Sequence, residues 1–416
     1  MNLVIRKAKI IDPNSLFHNK ICDLVITDGI ITKIGIGLKN PANFDEIGFE
    51  NLHVSIGWFD TSVSLGEPGF EERETINNGL TAAAKSGFTA IALQPNCHPI
   101  TDNQSQINFV KSKAADSAVE IYPIGALTTQ SDGKDLAELF DMKQSGAIAF
   151  GDYNKDLSNP NMLRIALQYA QDFDGLIIAF SHDQSIAGHG VANEGIVATG
   201  LGLKGIPALA EELQIARNLS ILEYSGGKLH IPTISTAKSV HLIKEAKSKG
   251  IKVTCSVSVH HLTMTDEKLE RFEANYKVLP PLRTESDRKT LLSGVKDGTI
   301  DVITSDHNPI DIEHKRMEFD LAKFGTIGLE SAFGALMTVL PLDAVIEKLT
   351  SGRAVFGIPE PKIAEGNNAN LTFFNPEPTW QFTGGDILSK SKNSAFIGMK
   401  MKGKIYGILN RNKSVL

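Results

Sequence analysis

Cysteine is scarce, with three in 416 residues. Cys22, Cys97 and Cys255 show no C-x-x-C spacing, which excludes a disulfide framework and a cysteine-built zinc site. A positive charge excess is also lacking: 42 Lys and Arg face 48 Asp and Glu, for a net charge of −6. With no basic stripe either, neither a nucleic-acid partner nor an anionic membrane surface is expected. No apolar run approaches the length of a bilayer span. The opening stretch MNLVIRKAKIID alternates like a strand and has no signal-peptide core, so cytoplasmic residence is the expectation. There is no G-x-G-x-x-G turn, which counts against a dinucleotide-binding open sheet. Low-complexity tracts and long linkers are absent too.

What is present is the composition of a globular protein, 42% hydrophobic and 22% charged, in a chain long enough for one large domain and a small one. Residues 1–55 read as short strands, LVIRKAKIID and DLVITDGIITKIG, with Asp28-Gly29 as a hairpin signal. From there the pattern alternates. Eight strand candidates follow in order: HVSIGWFDTSV, FTAIALQP, VEIYPIGAL, GAIAFGD, LIIAFSHD, KLHIPTIS, KVTCSVSV and VITSDH. Helical stretches such as INNGLTAAAKSG and TAKSVHLIKEAKSKG lie between them, several stopping at glycine. Eight strand–helix units over residues 56–361 predict an α/β fold, a (β/α)8 TIM-type barrel, with a doubly wound open sheet as the rival. After residue 362 the chain returns to strands, ANLTFFNP and SAFIGMKMKGKIYGILN. Residues 1–55 and 362–416 are therefore expected to pair as a small β domain beside the barrel.

In such a barrel the chemistry sits at the C-terminal ends of the strands. Those ends carry Asp60 to Ser64 on strand one, Gln94 and Asn96 on strand two, and Asp152 and Tyr153 on strand four. Strand five ends in Ser181, His182 and Asp183, strand six reaches Thr233, and strand eight ends in Asp306 and His307.

Several long strings then resemble the dihydroorotases of the multifunctional-complex type, members of the amidohydrolase superfamily. They are GWFDTSVSLGEPGFEERETINNGLTAAAKSGFTAIALQPNCHPITDN, VANEGIVATGLGLKGIPALAEE, STAKSVHLIKEAKSKGIKVTCSVSVHHLTMTDE, PPLRTESDRKTLLSGVKDGTIDVITSDHNP and SKSKNSAFIGMKMKGK. The resemblance spans nearly the whole chain, and hydantoinases fit these strings less well. It implies a zinc-activated water that attacks a ring amide, with a strand-eight aspartate shuttling the proton. It also implies an H-x-H pair on strand one, histidines on strands five and six, and a bridging carboxylate on strand four.

The chain departs from that pattern. The H-x-H positions hold Ser62 and Ser64, the strand-six position Thr233, and the strand-five position Ser181 beside His182. The strand-four position falls at Asp152 or Tyr153. Gly66 stands where an arginine grips the substrate carboxylate, and Ile310 where a further histidine contacts substrate. What survives is Asp306, the catalytic proton-shuttle position, and Asn96, a substrate-binding position. Each has a plainer reading, Asp306 as a cap for backbone N–H groups and Asn96 as a turn residue. His260 and His261 read as a packing pair, and His182 and His189 as loop residues.

The expectation is thus a scaffold-sparing, site-emptying set of changes. No metal and no other cofactor are expected, although the family uses zinc. The resemblance implies a non-catalytic relative that assembles with aspartate transcarbamoylase, and a homo-oligomer is expected. Two alternatives stay open: an active dihydroorotase with a reduced metal site built on Asp152, His182 and Asp306, and a module that binds a dihydroorotate-like ligand through Asn96.

Overall fold

The computed structural model describes residues 1–41 and 43–416. Two sheets organise it. In the first, strands from the two ends of the chain interleave. Leu3–Ile11 lies between Ile21–Thr27 on one side and His53–Ile56 on the other, and Leu371–Gln381 and Lys400–Asn410 continue the sheet beyond His53–Ile56. The turn after Ile21–Thr27 is local chemistry. Asp28 and Gly29 both have positive φ, 51° and 79°, the geometry of a two-residue turn that favours Asp-Gly. Behind this sheet Leu3, Ile5, Ile10, Leu24, Ile26, Leu371 and Phe373 form a core of its own.

The second sheet has eight parallel strands in sequence order: Trp58–Val63, Phe88–Leu93, Glu120–Gly125, Ala149–Phe150, Ile177–Ile178, Leu229–Ile231, Val253–Ser258 and Val302–Thr304. They are called the first to eighth barrel strands below. The first and last meet: Val63 bridges His307 in parallel, and Ser64 N donates to His307 O at 2.7 Å. A helix follows each strand, from Ile76–Lys85 after the first to Leu342–Thr350 after the eighth. Local signals start them: the Thr75, Asn103, Asn159 and Thr236 side chains accept from N–H groups of the first turn, and Thr284 with Asp287 forms a capping box. This is a TIM-type barrel with a small β domain formed from both termini.

One expected element divides. HVSIGWFDTSV reads as a single strand, but His53–Ile56 joins the small sheet and Trp58–Val63 opens the barrel. Gly57 is the pivot. A Cβ there would lie 1.9 Å from Asn370 Oδ1 and 2.0 Å from Thr89 Oγ1, so only glycine passes between the two sheets. No described helix is long and apolar enough to cross a membrane.

Candidate functional site

The C-terminal ends of the barrel strands converge on a buried polar cluster. Asp60, on the first strand, organises it. Its carboxylate accepts from Ser62 N at 3.1 Å, from Ser305 N at 3.0 Å and from the Thr304 hydroxyl. A single carboxylate thereby fixes the end of the first strand against the end of the eighth. Burial raises the pKa of Asp60, and these hydrogen bonds oppose the shift.

Asp306 lies within this frame, 6% exposed and in a left-handed backbone conformation, φ 49°. Ser62 Oγ donates to its Oδ1 at 3.2 Å, and Gln94 Nε2 donates to Ser62 Oγ at 3.1 Å. Burial lifts the Asp306 carboxyl to about 7, with the Asp60 charge adding to the rise and the Ser62 hydrogen bond reducing it. Asn96, half-buried on the second strand's exit, brackets the Ser64 hydroxyl. Its Nδ2 donates to Ser64 Oγ at 2.8 Å, and that hydroxyl faces Oδ1 at 3.1 Å. The structure therefore brings Asp306 and Asn96 to one rim but engages each with a serine.

The two strand-four candidates, left open in the sequence, sit in different surroundings. Asp152 turns sideways and accepts from Leu127 N at 2.9 Å, Thr128 N at 3.1 Å and Thr128 Oγ1 at 2.6 Å. Its carboxylate is a loop clamp. Tyr153, in left-handed conformation at φ 58°, lies close enough to Asp306 for that charge to oppose phenol ionisation, although burial is the larger cause of its raised pKa. The Tyr153 hydroxyl is buried without a hydrogen-bond partner, as is the Ser181 hydroxyl on the fifth strand's exit. His182 stacks on Phe180 with centroids 5.9 Å apart, and burial lowers its pKa. His189 is exposed on the following loop. Thr233 is buried, with its N–H bound to Ser256 Oγ at 3.1 Å.

His307 is buried: its Nδ1 accepts from Gly328 N at 3.2 Å and Leu329 N at 3.4 Å, its Nε2 has no partner, and burial lowers its pKa to about 4. His260 and His261 pack ring against ring at 4.6 Å, with His261 Nε2 at 3.1 Å from Pro281 O. Gly66 is enclosed. A Cβ there would meet Phe70 O at 1.9 Å and Glu74 O at 2.8 Å, so this loop has no room for an arginine at that position. Ile310 is buried, its N–H held by Asn393 Oδ1 at 3.1 Å.

This donor set does not fit zinc. Three or four imidazole, thiolate or carboxylate ligands must converge on such an ion, and among the described residues no three His, Cys, Asp or Glu side chains are grouped to hold one. Asp152, His182 and Asp306 do not form the reduced site that the sequence left open. Gln94 and Asp60 have partners on other strands, so their roles here are not legible from the sequence. The only signal for them was their place at strand ends.

Comparison with known proteins gives the lineage. A Dihydro-orotase-like family model matches residues 53–239. A dihydroorotase of Pelotomaculum thermopropionicum is 41% identical over 97% of this chain and 96% of its own length, and one of Geotalea daltonii is 37% identical over the same shares. The chain belongs to the dihydroorotase family. Solved structures similar to this dihydroorotase-family chain include the L-hydantoinase (dihydropyrimidinase) of Arthrobacter aurescens, with a TM-score of 0.87 at 21% identity over 100% of this chain and 96% of that one. A D-hydantoinase follows at 0.83 and 20%, over 100% and 95%. At that identity the likeness concerns the amidohydrolase barrel fold alone.

Proposed function

We propose that this chain serves pyrimidine biosynthesis as a dihydroorotase-family protein that does not hydrolyse dihydroorotate by the metal route, and that it acts as a structural partner of aspartate transcarbamoylase. The observation that carries this reading is the makeup of the barrel mouth. Ser62, Ser64, Ser181 and Thr233 hydroxyls stand where metal-ligating imidazoles are expected, and Asp152 is committed to the Leu127–Thr128 backbone. A zinc-bound water has a pKa of about 7 against about 15.7 in bulk, so a barrel without the ion lacks hydroxide at neutral pH. The enclosed Gly66 removes an anion contact typically worth about 1.5–3 kcal/mol. Kinship with proteins named dihydroorotase supports the pathway.

The test takes the purified protein through elemental analysis and a dihydroorotate hydrolysis assay, then mixes it with the transcarbamoylase of the same organism. No stoichiometric zinc, no turnover above background and a stable complex are expected. Zinc retained at one or more ions per chain after mild chelation, together with turnover lost in Asp306→Ala, would overturn the reading.

A further inference from the structure

We propose that Ser62 and Asp306 form a metal-free nucleophile–base pair that accepts an acyl group from a small activated ester or thioester. This goes beyond the scaffold role and does not depend on it.

The geometry is that of an activated hydroxyl. Ser62 Oγ donates to Asp306 Oδ1 at 3.2 Å and accepts from Gln94 Nε2 at 3.1 Å. A hydroxyl carries one proton and two lone pairs. The proton is directed at the base, one lone pair is held by Gln94, and one remains to attack. The pair is also rigidly spaced. Asp60 holds Ser62 N at 3.1 Å and Ser305 N at 3.0 Å, so nucleophile and base hang from the same buried carboxylate, which acts as a positioning residue. Serine is a weak nucleophile until a neighbouring base takes its proton. A carboxylate withdrawn from water is the stronger base for it, and Asp306 is 6% exposed. On the exits of the fourth and fifth strands the Tyr153 and Ser181 hydroxyls are buried with no hydrogen-bond partner.

The step balances without a co-reactant other than water. Ser62 Oγ bonds to the acyl carbon as its proton passes to Asp306. The tetrahedral adduct collapses, and the departing alkoxide or thiolate takes that proton from Asp306. The resulting Ser62 ester is cleaved by water, whose proton goes to Asp306 and then to the re-formed serine hydroxyl, with release of the carboxylic acid.

The probe is a biotin-bearing fluorophosphonate, applied to the full-length protein after chelator treatment. It forms an O–P bond to an activated serine and expels fluoride. One label per chain on the peptide containing Ser62 is expected, with no label in Ser62→Ala. Asp306→Asn, nearly isosteric but not basic, should slow labelling by about 100-fold, the usual scale of general-base assistance. Thermal unfolding of each variant establishes that it is folded, and the labelled position in the unaltered protein stands whether or not a variant folds. No label, a label confined to other serines, or an unchanged rate in folded Asp306→Asn would overturn the proposal. Zinc content and complex formation play no part in the readout, so its failure would leave the scaffold reading as it was.

Discussion

Asp306 is held against its own charge, and the sign of the effect can be worked out. Its folded carboxyl titrates at about 7, above the ordinary 3.8. Folding therefore favours the protonated form. The cost is fully present above pH 7, shrinks as pH falls through 7, and is gone near pH 4. Asp306→Asn should stabilise the protein at pH 8 by on the order of 2–4 kcal/mol, since one pKa unit is about 1.4 kcal/mol. That gain should vanish by pH 4, and urea unfolding of both proteins across this range checks it. Gly66 behaves oppositely. Restoring an arginine there forces a Cβ to 1.9 Å from Phe70 O, so Gly66→Arg should destabilise by about 1–3 kcal/mol or more through overpacking and confer no dihydroorotate turnover. A variant that unfolds at the same urea concentration as the parent would contradict this. Residues of this kind were only half legible in the sequence. Ser62 and Ser64 could be placed because alternate positions of a strand share a face, while Thr233 and Asp306, left-handed residues just past their strands, were placed as strand-end residues through the family resemblance. The choice between Asp152 and Tyr153 could not be made, because a left-handed residue just past the two-residue strand Ala149–Phe150 breaks that alternation.

Elements that keep the family's wording have structural reasons to do so. The segment around Gly188–Gly200 is tied down by Arg283, which is buried and donates to Asn193 Oδ1 at 2.9 Å, Ile206 O at 3.0 Å and Ser235 Oγ at 3.0 Å beside Glu211. Glu211 in turn accepts from Ser235 N at 2.8 Å and Ser239 Oγ at 2.6 Å. Removing one partner of a buried charge network typically costs about 3–5 kcal/mol. Arg283→Ala should therefore destabilise by that order and raise amide exchange across 188–206 first. Uniform protection in that variant would argue against the anchor. The segment 311–325 carries a different device. Lys277 Nζ donates to Phe319 O and Asp320 O, and Lys315 Nζ to Lys277 O and Lys323 O. Burial lowers these amines to about 8 and about 7. Folding thus disfavours their charged forms below pH 7, and the penalty fades toward pH 10.5. Protection of 311–325, measured by exchange and corrected for intrinsic rates, should rise between pH 7 and pH 9. The helices and the Asp28-Gly29 turn were readable because their causes are local: caps, glycine stops and positive φ. The division of HVSIGWFDTSV at Gly57 was not, because both halves are equally apolar and the cause, Asn370 and Thr89 crowding the glycine, lies far off in sequence.

At the scale of the molecule, the barrel is complete while its mouth carries hydroxyls in place of metal ligands, and the proposed assembly is a question of the surface around that mouth. The face carrying the strand ends also carries the loop 188–206, and on it Ile196 is 93% exposed. An isolated exposed apolar residue is ordinary. This one stands on a loop that the Arg283 network holds in place, so docking against it would require little further ordering, and ordering is a main cost of association. The net charge of −6 offers no excess of basic residues for nucleic acid, and the partner proposed is the transcarbamoylase. A specific interface buries about 1,600 Å² in total, so such a complex should persist through gel filtration at micromolar concentration. Ile196→Asp is the informative variant. As an exposed substitution it should change folding stability by no more than about 0.5 kcal/mol, yet a charge placed in a desolvated contact should reduce the complex fraction at least tenfold, read as mass by light scattering. An unchanged complex would move the contact to another face. No complex with the unaltered protein, beside a transcarbamoylase fully active alone, would remove the scaffold role itself.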